Sequence, residues 1–284
     1  MNVASNLLTV TAVVALVAAL AFVAVWGGRR SEPEPLLVAD RARPPGEVLR
    51  HFVRSVAIAV SAGTIAGVLV GGLGSRLAMR VMAATSGDDA QGAITEAEEV
   101  VGRITAGGTL GLVLFVGLGL GSVAALLYLL LRRWLPWPAW LSGLLFGVLL
   151  LAVFGRDDPV DPDNPDFMIL SPKWLAVLMF TLLLPLYGLV LGSVVARLDA
   201  AYPELSARPK VLVAYAPLLL LVPLFPVVVP LAVIALVAVA TQRIRPLARV
   251  WRSQAVDLVG RVALALIGVV GLGFFGVGLA EILG

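Results

Sequence analysis

Cysteine is absent from the 284 residues, which excludes disulfides, thiolate catalysis and cysteine-ligated metals. The single histidine, His51, excludes a multi-histidine metal site. Charge is scarce as well: 14% of residues are Asp, Glu, Lys or Arg, 60% are apolar, and the mean hydropathy is +1.00. A soluble domain is roughly 45–50% apolar and about a quarter charged. The apolar surplus here must therefore face lipid. Lysine is nearly missing too, since only Lys173 and Lys210 accompany the arginines in a basic total of 21. Those arginines gather in a few connections, a pattern that orients membrane helices and offers no basic groove interleaved with aromatics for nucleic acid.

What is present is a series of apolar runs. Spans are expected at about 7–26, 52–73, 104–131, 138–154, 174–196 and 262–282, each near the ~20 residues a bilayer requires. Residues 1–6 carry no charged side chain, so the first run reads as a retained helix, not a cleaved signal, with the N-terminus outside. Residues 27–51, with Pro33, Pro35, Pro44, Pro45 and several arginines, form a solvated cytoplasmic linker. The capping-box pattern Thr95-Glu96-Ala97-Glu98 predicts that a helix starts near Thr95 and feeds the third span.

Residues 211–240 contain no glycine but hold Pro217, Pro223, Pro226 and Pro230, and both flanks are basic. Thirty residues are too few for two crossings. The stretch predicts a proline-broken re-entrant hairpin, or else a seventh span placing the following basic segment outside. Residues 241–257 form an amphipathic interfacial helix, with Arg245, Arg249 and Arg252 on one face to meet inner-leaflet lipid. The expected fold is an all-α polytopic bundle, one transmembrane domain of six spans plus the hairpin.

The organising stretch is Ser55, Ala59, Gly63, Gly67, Gly71 and Ser75, a small residue at every fourth position. Such a stripe lets a neighbouring helix approach the backbone closely. Gly107-xxx-Gly111, Gly117-xxx-Gly121-xxx-Ala125, Gly143-xxx-Gly147 and Gly188-xxx-Gly192 offer matching faces.

Beyond the stripe stand Arg76 and Arg80, one turn apart, followed by Glu96, Glu98, Glu99 and Arg103. Two arginines on a non-cytoplasmic segment need a reason. The guanidinium groups can hold an anion such as a lipid headgroup phosphate, or the glutamates can neutralise them. The acidic run from Asp157 to Asp166 lacks the glycine and closing glutamate of a calcium loop. No metal or cofactor is implied.

The centres of the spans carry no ionisable side chain, which argues against ion-coupled transport and proton pumping. No Gly-x-Ser-x-Gly context frames a serine nucleophile, and Gly117-x-Gly119-x-Gly121 lies within a membrane helix, where it serves packing. Three functions follow. The first is a non-catalytic structural or complex-forming component, with a membrane-protein partner or a copy of itself. The second is passive or lipid handling through Arg76 and Arg80. The third is an enzyme acting on a lipid-linked substrate through the carboxylates. The location expected is a bacterial plasma membrane.

Overall fold

The computed structural model describes residues 45–87, 90, 92–94, 101, 106–156, 164, 166–226, 229–230, 233, 237, 250 and 253–283. The regular elements among them are helices: α1 (Pro45–Ala66), α2 (Ser75–Thr85), α3 (Ala106–Gly111), α4 (Gly121–Leu131), α5 (Ala139–Phe154), the single turn α6 (Asp166–Ile169), α7 (Lys173–Ala201), α8 (Pro209–Ala214) and α9 (Gln254–Leu283). Helices α1 and α2 are one continuous rod joined by a π-helical segment, Gly67–Gly74, and a second π segment, Leu112–Leu120, joins α3 to α4.

Four rods are long and apolar enough to cross a bilayer: Gly46–Thr85, Gly107–Leu131, Lys173–Ala201 and Gln254–Leu283. Helix α5 is apolar but has 16 residues, about 24 Å at 1.5 Å per residue against a hydrocarbon core of ~30 Å. Among the described residues the protein is thus all-helical, with four helices long and apolar enough to span a membrane. The expected first span, 7–26, lies outside the described residues.

Several expected boundaries shift. Residues 45–51, read as the end of a linker, already belong to α1. Pro45 is its first residue, a position where the missing N–H costs nothing. The helix expected from Thr95 does not run through Val101. Val101 instead accepts a hydrogen bond from the Gly92 N–H at 3.1 Å and donates to the Ala93 carbonyl at 2.9 Å. That pairing is helped by Gly92, which adopts φ +85°; the expected helix start at 95–98 lies outside the described residues. Residues 254–257, placed in an interfacial helix, form the first turn of α9; most of the expected 241–257 helix is outside the described residues. Helix α7 runs unbroken through Pro185.

The small-residue stripe is enclosed. Ser55, Ala59, Gly63, Gly67 and Ser75 are buried and Gly71 is half-buried. A Cβ added to Gly63 would lie 2.5 Å from both the Ala125 Cβ and the Gly121 carbonyl oxygen, and one added to Gly121 would lie 2.8 Å from the Gly63 oxygen. Gly67 meets Gly117 and Gly121 in the same way. A spacing of four drifts round a helix of 3.6 residues per turn. The wider π turns take up that drift. They lie side by side on the two rods, so both ladders stay in register. The expected Gly107–Gly111 face is different: a Cβ at either meets nothing within 4 Å. The second tight seam joins α5 to α7, where Gly143 meets Gly188 and Gly192, and Gly147 meets Leu184 and Pro185.

Helices α1, α4, α5 and α7 surround one core containing Val60, Ala62, Ala125, Tyr128, Phe146 and Leu191. A second cluster closes one end, bringing Met82 of α2 together with Leu151, Phe167, Leu170, Val177, Phe275 and Ile282. Ser86 fastens the α2 terminus there. Its hydroxyl oxygen accepts the Ser171 N–H at 2.9 Å and donates to the Met82 carbonyl at 2.7 Å. Helix α9 lies outermost against α5, with only 11% of its most apolar window buried.

Candidate anion-binding site

The two ends of the bundle differ in chemistry. One end carries the start of α1, the α4–α5 turn, the end of α7 and the start of α9, and there Arg54 and Arg133 each pair with a carboxylate. Arg54 donates to the Asp199 carboxylate at 2.9 Å, to the Asp199 carbonyl at 2.6 Å and to the Tyr202 carbonyl at 3.2 and 3.3 Å. It thereby caps the carbonyl end of α7, where a cation complements the helix dipole. Tyr202 and Tyr215 stack edge to face with centroids 5.4 Å apart, and Tyr215 donates to the Pro203 carbonyl at 2.9 Å. Arg133 joins the α4–α5 turn to α9 through Asp257 at 2.8 Å. An open cleft of about 510 Å³ at this end is lined by Arg50, Leu205, Ser206, Ala207 and Leu212. It contains no group poised for chemistry.

At the opposite end Arg76 is handled otherwise. It occupies the first turn of α2, and its Nε and one terminal nitrogen are buried without a hydrogen-bond partner among the described residues. Its helix position explains the burial. Gly72, one turn earlier, faces Val113, which a Cβ on Gly72 would meet at 3.1 Å. Arg76 follows Gly72 on the same face of the rod. Arg80 is exposed, so the expected pair divides into one inner and one outer guanidinium. Arg103, Glu96, Glu98 and Glu99, the other members of the expected cluster, lie outside the described residues, as do Arg245, Arg249 and Arg252.

A guanidinium holds its charge at any attainable pH and presents its donors in a planar fork. Burying two of those donors without an acceptor costs more than a neutral orphan would, because the group is charged. The arrangement is chemically incomplete in a way that an oxyanion would complete.

The chain matches no family model, no curated protein and no solved structure. The site therefore has to be read from its own atoms. Among the described residues no group of three or more His, Asp or Glu is placed to hold a metal ion. Several polar side chains in the interior bond to the backbone or to one another, within a helix or across helices. Tyr187 donates to the Gly121 carbonyl at 2.6 Å, Tyr128 to the Ser142 hydroxyl at 3.1 Å and Ser193 to the Leu189 carbonyl at 2.8 Å. The Thr181 hydroxyl is buried and unpaired; on α7 it falls on the side of Gly188, toward α5. None of these hydroxyls has a base beside it.

The Arg54–Asp199 pair, 145 residues apart in sequence, had no signal in the sequence.

Proposed function

We propose that this chain is a non-catalytic membrane component, a rigid helical unit that serves as a structural or complex-forming subunit. The observation carrying this reading is the interior: Val60, Ser122, Phe146 and Leu191 are fully buried where two glycine seams close, leaving backbone against backbone. Tight small-residue packing of this kind is how membrane helices associate without a hydrophobic drive between them.

In the same proposal the chain crosses a bacterial plasma membrane six times, with a re-entrant hairpin in 211–240 and arginine-rich connections in the cytoplasm. The described part of that hairpin supports it. Helix α8 and the 3-10 turn Ala216–Leu221 leave the arginine-rich end beside α1, and Leu224 reaches within 4.0 Å of a Cβ placed on Gly119. A gentle-detergent purification after cross-linking in membranes tests the component reading. The expected result is a defined assembly with a stoichiometric partner or a second copy. A monomer that scrambles lipid between leaflets in proteoliposomes would overturn it.

One observation favours a second reading, in which the protein handles an anionic lipid: the unpaired nitrogens of Arg76. The enzyme reading would depend on Glu96, Glu98 and Glu99, and nothing among the described residues favours it.

A further inference from the structure

We infer that Arg76 is the inner anchor of a binding site for the phosphate of an anionic membrane lipid, set at the first turn of α2. The inference rests on the lipid reading just given and names its ligand. Three observations converge. The Nε and a terminal nitrogen of Arg76 are buried yet unpartnered, which leaves two adjacent donors of one fork for a single phosphate. Arg80, one turn on and exposed, stands between Arg76 and the lipid-facing side of the rod as the outer contact. That side is a continuous apolar track: Leu69, Leu73 and Leu77 are 51%, 51% and 65% exposed at a spacing of four, beside Leu110 and Leu114 of the neighbouring rod, 59% and 51% exposed.

The track decides the source of the anion. A free phosphate or carboxylate would use the guanidinium groups alone. A lipid uses them together with a path along which an acyl chain can lie directly below its headgroup. Arg54 supplies the contrast on the same rod, since each of its three nitrogens reaches an acceptor at the other end. Arg133 also has a buried nitrogen without a hydrogen bond, but its other two reach the Asp257 carboxylate, whereas Arg76 has no carboxylate beside it among the described residues.

The test is thermal stabilisation of the full-length, delipidated protein in mild detergent. The probes are phosphatidylglycerol, phosphatidylcholine and inorganic phosphate at matched concentration, with retained lipid quantified by mass spectrometry. The wild type should be stabilised by phosphatidylglycerol well beyond phosphatidylcholine, and not by inorganic phosphate. R76Q should lose that preference and retain about tenfold less anionic lipid, the weight of one charge-assisted contact. R80Q should lose less. R76K, which keeps the charge but not the fork, should fall between, and covers the case in which R76Q fails to elute as a single species. An undiminished preference in R76Q, or a wild type that does not distinguish the two lipids, would overturn the inference. Stabilisation by inorganic phosphate equal to that by phosphatidylglycerol would overturn the lipid as the source. If R76Q loses the lipid but keeps its cross-linked assembly, the component reading stands independently.

Discussion

Two arginines on one rod show how burial and pairing can part company. Arg54 has a side chain 17% exposed and shares a 2.9 Å ion pair with Asp199. It also binds two backbone carbonyls at the end of α7, so it contributes to stability by satisfying a helix terminus as well as by charge. R54M should lower the unfolding free energy by about 1–3 kcal/mol, read as a loss of thermal stability in detergent. D199N should cost less, because the backbone acceptors remain. Arg76 should respond in the opposite sense when no lipid is bound. R76M removes a charge with two bare buried donors, so the delipidated variant should match or exceed wild-type stability in a melting measurement. Arg156 and Glu281, 3.7 Å apart and about half exposed, should contribute almost nothing.

At the level of helices, the seams make sharply positional predictions. G67V sets a branched side chain against the Gly117 backbone and should prevent the α1 and α4 rods from closing, seen as loss of a monodisperse elution profile. G107A, at a glycine with nothing within 4 Å, should be neutral or slightly favourable, since alanine is the better helix former by about 1 kcal/mol. The enclosed stripe was legible in the sequence because small residues four apart have few other uses in a membrane helix. Gly107 and Gly111 carry the same spacing with no helix opposite them, so the pattern states a capacity for approach and leaves the partner unnamed. The pairing of Val101 with Gly92 and Ala93 was illegible for another reason: backbone hydrogen bonds outside a regular element leave no periodic trace in the sequence. The site was half legible: Arg76 and Arg80 stood out as misplaced charge, while only the packing of α2 shows which of them is inside.

For the whole molecule, the opposed character of the two ends predicts its sidedness. Ser171 sits at the turn into α7, and Ser206 beyond its far end, so the length of α7 separates them. Because the chain has no cysteine, S171C and S206C each provide a unique thiol for a membrane-impermeant maleimide on intact cells. S171C should label from outside and S206C only after lysis. The reverse pattern would invert the proposed orientation, and labelling of both would place the two ends on one side.

The broad turns that join α1 to α2 and α3 to α4 tie one end of the protein to the other through a matched pair of settings. Deleting one residue from 67–74 would screw everything beyond it round the rod axis, carrying Arg76 out of its buried position and Met82 off its hydrophobic cap. A compensating deletion in 112–120 would realign the mating ladder but not the contacts with α7. An insertion or deletion scan should therefore find this level of the membrane far less forgiving than the termini of the same rods, although no charged side chain lies within it.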